Sequence, residues 1–278
     1  MMLSVLDQAR GLRRMMRPAG ARVLPVFGTA DRVPALVNLA AALARSGEQV
    51  LVLDVSRGEI APACGLCARY ELKHVLEGEV AFDQAALSTR DGVKVLPAAR
   101  GMRMLREARV SALDFFESLA EKAAPAGLIL VNCEPAQRAG CLLPAHGEAV
   151  LVLSPGAHAI SDGAACLRAL TVRPVTSRFR VLMMRTPLDE ARRTVKLLAR
   201  LAAAKLDVEV VFGGNTPPER HLVEAARARR TIFDIDPAGA AARAFLNAAQ
   251  SALDWDLAAL PQLPHGCAPV TAATTKLH

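Results

Sequence analysis

The sequence predicts an α/β protein: a mostly parallel, doubly wound sheet of about eight strands, covered by helices on both faces. Three observations carry that expectation. Strand-length apolar runs alternate with helical patterns, as parallel strands joined by crossovers require. The runs are continuously apolar rather than alternating, which is the signature of strands buried on both faces. And the chain, 278 residues with 52% hydrophobic content, can bury roughly three quarters of its unfolded surface.

Taken in order, a short helical stretch over residues 4–16 precedes the first strand. Strand-like runs follow at residues 23–27, 50–54, 93–96, 128–132, 150–154, 179–184, 208–212 and 231–235. Helical patterns fall between them at 35–45, 112–122, 161–170, 189–205 and 219–229, and a last helix is expected near 238–257. Three regions result: an N-terminal helix over 1–18, an α/β body over 19–256, and a polar, proline-containing tail over 257–278 that is expected to be disordered.

Composition excludes several classes. Aromatic residues make up only 4% of the chain, too few for a platform that stacks bases, so no nucleic-acid partner is expected. No apolar run approaches the roughly 20 residues that span a bilayer, and charges interleave with apolar residues from Met1 to Pro18, unlike a signal peptide or anchor. Six scattered cysteines fit a reducing cytoplasm. The formal charge of +7 concentrates in helical stretches such as Arg10, Arg13, Arg14 and Arg17, or Arg192, Arg193, Lys196 and Arg200. Such clusters either solvate helix faces or meet an acidic partner.

Ligands of open α/β sheets sit at the carboxyl ends of the strands, so phosphate chemistry is sought first in the loop after the first strand. That loop reads Gly28-Thr29-Ala30-Asp31-Arg32-Val33-Pro34. Together with Asn38-Leu39-Ala40-Ala41-Ala42-Leu43-Ala44 and Gln49-Val50-Leu51-Val52-Leu53-Asp54, the region resembles the MinD/ParA family of P-loop ATPases. The resemblance implies a SIMIBI-type P-loop NTPase fold and a glycine-rich, lysine-bearing loop that cradles phosphate with backbone N–H groups.

This chain departs from that pattern throughout. Only Gly28 remains of the glycines, and the segment is about three residues short of the phosphate-binding pattern. Asp31 adds negative charge where phosphate would lie, Pro34 removes a backbone donor, and Arg32 is the one cation left. Where the family carries a second aspartate two positions after the counterpart of Asp54, this chain has Ser56. Asn132 and Glu134 stand in the segment of its metal-linked aspartate, and Met184-Arg185 replaces its adenine-reading Asn-Arg pair. Phosphoryl transfer rests on positioning and charge neutralisation, so the expectation is a lost ATPase with no cofactor. ATP and Mg²⁺ would enter only through a remodelled site.

A narrower resemblance lies ahead of the body. Asp7-Gln8-Ala9-Arg10-Gly11-Leu12-Arg13 is similar to the Asp-Gln-Ala-x-x-Leu-Arg motif of the FlhG (FleN, YlxH) regulators of flagellar number and placement. Segments 71–78, 95–101 and 154–163 are similar to the same family. The resemblance implies that Asp7, Gln8, Ala9, Leu12 and Arg13 dock on an FlhF-type signal-recognition GTPase, with Gln8 reaching toward its active site. It further implies a flagellar transcriptional activator or a basal-body switch component as partners, and a cytoplasmic protein recruited to the cell pole or inner membrane through a partner. Asp254 and Asp256 around Trp255 leave the last helix poorly suited to a membrane, so weak membrane contact at most is expected.

Two other readings stand beside it. One is an ATPase with a remodelled site built from Arg32, Asp54 and Glu134. The other is a redox or zinc protein using Cys64 and Cys67, for which His74 is the nearest further ligand; a capping histidine is the simpler reading. Cys133, Cys141 and His146 have the residue types of a thiol nucleophile and base, but small buried cysteines explain them more simply.

Overall fold

A computed structural model of the chain describes residues 21–122, 127–134, 146–171 and 178–259. The stretch holding Asp7, Gln8, Ala9, Leu12 and Arg13, together with Cys141, Cys267 and the rest of the tail from residue 260, lies outside the described residues.

The first half of the chain runs β1 (Arg22–Gly28), α1 (Arg32–Arg45), β2 (Val50–Asp54), α2 (Ile60–Ala63), α3 (Leu72–Leu76), α4 (Phe82–Ala85), β3 (Leu87–Ser88) and β4 (Lys94–Pro97). Then come α5 (Ala99–Glu107), α6 (Ala112–Lys122), β5 (Leu128–Asn132), β6 (Glu148–Leu153), α7 (Ala159–Thr171) and β7 (Arg178–Met183). The order closes with α8 (Leu188–Lys205), β8 (Glu209–Asn215), α9 (Arg220–Arg227), α10 (Ile232–Ile235), α11 (Ala240–Ala252) and β9 (Ala258–Ala259).

The sheet has nine strands in the order β3-β4-β2-β5-β1-β6-β7-β8, with β9 laid against the start of β1. Its seven long strands are parallel, and the two-residue strands β3 and β9 pair antiparallel. Every residue of β1, β2, β5 and β6 is buried, which is why these segments carry unbroken apolar sequence. Small side chains bring α1 and α11 close together on one face: Ala35, Leu39 and Ala42 pack in the same core as Ala241, Phe245 and Ala249. On the other face α8 buries Ala191, Val195, Leu198 and Ala202, an i, i+4, i+7, i+11 stripe that defines its inner side.

Three expectations change. Residues 231–235 form a one-turn helix, α10, instead of a strand. Thr231 caps it, and Asp234 Oδ2 accepts the Thr231 N–H at 3.3 Å, so a local polar cap decides a run too short for periodicity to decide. The last helix ends at Ala252. Beyond it Trp255 packs on the core with the Arg180 guanidinium 5.5 Å above its ring, and the chain returns to pair Ala258 and Ala259 with Val23 and Arg22. The body thus extends to Ala259.

Candidate functional site

The carboxyl ends of β1, β2, β5 and β7 gather the residues singled out from the sequence, beginning with Gly28. A Cβ at Gly28 would lie 2.4 Å from the Val152 carbonyl oxygen and 2.8 Å from Val152 Cβ. The glycine permits β1 to approach β6; that is its structural role here.

Four amides of the following loop and helix start are already engaged. Thr29 N donates to Val152 O at 3.1 Å, Asp31 N to Ser154 Oγ at 3.3 Å, Arg32 N to Thr29 O at 3.0 Å and Ala35 N to Asp31 O at 3.0 Å. Thr29 Oγ1 also lies 2.9 Å from Ser154 Oγ and accepts the Ser154 N–H at 3.1 Å. The loop is thereby fastened to the end of β6.

Arg32, the first residue of α1, turns inward and is only 6% exposed. Its Nε donates to Asn132 Oδ1 at 2.7 Å, and a terminal nitrogen donates to Glu59 Oε2 at 2.7 Å and lies 3.9 Å from Glu134 Oε1. Asn132 passes the network on, its Nδ2 donating to Asp54 Oδ1 at 2.9 Å and Ser56 Oγ at 2.8 Å. Ser56 Oγ lies 2.8 Å from Asp54 Oδ1 and 3.2 Å from Glu59 Oε2 and donates its one proton to either. Asp54, fully buried, also accepts the Ser56 N–H at 3.2 Å and the Ile60 N–H at 2.9 Å, so it caps α2. Glu134 faces outward and pairs with Arg57 at 3.2 Å.

The remaining pair closes a second side. Arg185 has φ +48° and donates to both oxygens of Asp31, at 2.9 and 3.2 Å, while its N–H donates to Thr216 Oγ1 at 2.8 Å. Met184 is buried against Thr216, whose hydroxyl lies 3.8 Å from its sulfur. Between Asp31, Pro34, Met184, Arg185 and Leu222 a cavity of about 170 Å³ remains, and Arg185 Nε is buried without a partner among the described residues.

The structure therefore gathers these residues at the strand ends in two bonded groups, Arg32 with Asp54, Ser56, Asn132 and Glu134, and Asp31 with Arg185. Sequence reasoning missed Glu59 and Arg57, which share the short turn Ser56-Arg57-Gly58-Glu59 leading into α2. An acidic residue at a helix start was the available signal. His74 is a cap: its Nδ1 accepts the Glu71 N–H at 3.1 Å. Burial pushes the Cys133 thiol far above its ordinary range, and Cys133 N donates to Val26 O at 3.0 Å, so the residue serves the sheet. Burial, then the Asp91 and Asp54 carboxylates, push the Cys64 thiol up to about 11.

No family model matches the chain. Over 233 residues it is 27% identical to the antiactivator FleN of Pseudomonas aeruginosa, covering 81% of this chain and 83% of FleN. Among solved structures it is similar to the MinD cell division protein of Aquifex aeolicus, at 20% identity over 84% of this chain and 98% of that one, TM-score 0.64. The cell division ATPase MinD of Pyrococcus furiosus matches at 20% identity over 84% and 99%, TM-score 0.61. A ParA family ATPase of Chlorobium tepidum matches at 13% identity over 84% and 98%, TM-score 0.60. The fold and the FleN-like, MinD/ParA-type resemblance read from the sequence are borne out.

Proposed function

Starting from a chain with the MinD/ParA fold and a FleN-like sequence, we propose a regulator of flagellar number, placement and assembly that acts by contact and no longer hydrolyses ATP. The observation that carries this reading is the Arg32–Asn132–Asp54 network at the strand ends, joined by Glu59, beside a loop whose Thr29, Asp31 and Arg32 amides are already bonded. A phosphate cradle needs several free N–H groups converging on one point, and a lysine able to reach it. The residues present do not fit a nucleoside triphosphate with its metal.

In this reading Asp7, Gln8, Ala9, Leu12 and Arg13 dock on an FlhF-type GTPase. A glutamine supplied in trans orients the attacking water there, and the neighbouring arginines hold the segment against acidic surface. The similarity to FleN, an antiactivator, supports a transcriptional activator as a second partner. Among the described residues no helix is long and apolar enough to cross a membrane, which agrees with recruitment through a partner.

The test is GTP turnover by the cognate FlhF-type GTPase, without ATP, comparing wild type with Gln8→Ala. Acceleration by wild type that the variant loses is the expected result; no acceleration by either overturns the docking assignment. The cavity beside Arg185 favours one second reading, residual binding of a nucleobase without hydrolysis. Equilibrium dialysis with ATP, with and without Mg²⁺, together with phosphate release, tests it: binding without release supports the second reading, and metal-dependent binding with release would restore an ATPase.

A further inference from the structure

A second cavity lies on the α1 face of the sheet, toward the β2–β4 edge, separated from the Arg32 network by the short helix α2. Most of the chain between β2 and β4, through α3 and α4, packs on the opposite face. On this face the β2–β4 edge meets the flank of α1, the one-turn helix α2, the turn between β3 and β4 and the connection from α9 to α10. The result is a cavity of about 310 Å³, at the lower end of the range for small-ligand sites. Its floor is apolar and made of small side chains, among them Val37, Ala41, Val52, Val95 and Ile60.

The rim is cationic. Arg90, Arg229 and Arg230 line it, all exposed, and none is paired with a carboxylate among the described residues. The acidic groups at the same rim are already engaged. Asp91 pairs with Arg45 at 2.7 Å and accepts from Thr231 Oγ1 at 3.3 Å, and Asp234 accepts the Thr231 N–H. The mouth is built by tight backbone packing: Arg229 turns at φ +55°, and a Cβ on Gly65, itself at φ +70°, would come within 3.3 Å of the Arg229 carbonyl oxygen.

We infer that this cavity binds a small amphipathic carboxylate, its hydrocarbon tail on the alanine and valine floor and its head against the Arg90, Arg229 and Arg230 guanidiniums. An apolar floor with fork-shaped donors at one end matches a medium-chain acyl carboxylate, whose tail meets the alanines and valines; Ser88, Thr89, Asp91, Thr231 and Asp234 also line the cavity. The chain's own undescribed ends are poor occupants by charge: residues 260–278 contain no acidic residue, and residues 1–20 contain Asp7 against Arg10, Arg13, Arg14 and Arg17. The inference is independent of GTPase stimulation.

The experiment is calorimetric titration of the full chain with octanoate, with octanol as the uncharged control. Saturable one-to-one binding of octanoate is expected, with octanol weaker. Reversing the rim charge in Arg229→Glu/Arg230→Glu is expected to raise Kd by about tenfold or more, the scale of one lost charge-assisted hydrogen bond. Both residues are exposed, so the variant should fold; Cys64→Phe, which fills the cavity without changing charge, gives a second and independent block. No saturable octanoate binding, or binding that neither variant weakens, overturns the inference. So does a photo-crosslinking amino acid at position 90 that labels residues 260–278 or a second copy of the chain and is not displaced by octanoate.

Discussion

Replacing Arg32 by Met tests whether the buried network holds the loop. The substitution keeps the stem and removes the guanidinium. Asn132 Oδ1, fully buried, then loses its charged donor, which costs about 1.5–3 kcal/mol. Glu59, whose side chain is 40% exposed, rehydrates on losing its partner, so that pair adds at most about 1 kcal/mol. The total, about 2–4 kcal/mol, corresponds to a fall in Tm of about 4–16 °C for a domain of this size. Thermal unfolding followed by circular dichroism, with urea midpoints as a check, measures it. Arg32→Lys should recover less than half of the loss, because a single ammonium cannot serve Asn132 and Glu59 in the fork geometry. It should also gain no ATP hydrolysis, although it returns a lysine to the loop. A Tm shift below about 1 °C in Arg32→Met would refute the network as the loop's fastening.

Gly28→Ala should destabilise by more than about 2 kcal/mol, because its Cβ meets the Val152 carbonyl and β1 must part from β6; urea unfolding reads this directly. Asn38→Leu removes the acceptor 2.7 Å from the buried Ile232 N–H, so a loss of about 1–3 kcal/mol and faster hydrogen exchange at that amide are expected. A stability loss without faster exchange at Ile232 would place the effect elsewhere. Cys64 alkylation should climb about tenfold per pH unit through pH 10 and level off near 11, because the thiolate is the reacting form and burial disfavours it. Cys133, completely buried, should stay unmodified until the protein unfolds.

The central parallel strands were legible because their middles are apolar runs, and α8 because four small or apolar residues recur at helical spacing over twelve positions. β3 and β9 were not legible, since two residues carry no periodicity and each exists only through its partner strand. Thr231–Ile235 misled because five apolar-rich residues satisfy strand and helix alike; Thr231 followed three positions later by Asp234 was the capping signal that distinguishes them. At the site, the departures at Asp31, Arg32, Ser56 and Met184 could be read from the sequence. Their mutual bonding could not: Arg32 reaches Asn132 across 100 residues and Arg185 reaches Asp31 across 154, separations at which spacing carries no information.

The pairing of β9 with the first residues of β1 fixes the polarity of the whole body. Residue 21 enters and residue 259 leaves at one rim of the sheet, whereas Gly28, Asp54 and Asn132 stand at the opposite rim. Six residues of extended chain, about 20 Å, separate the two rims along β1. Residues 21 and 259 thus lie at the rim facing away from the Arg32 network, with the buried central strands β1, β2, β5 and β6 between. Rebuilding the loops after β1 and β2 should therefore alter one rim and leave the pairing of β9 with β1 at the other rim untouched.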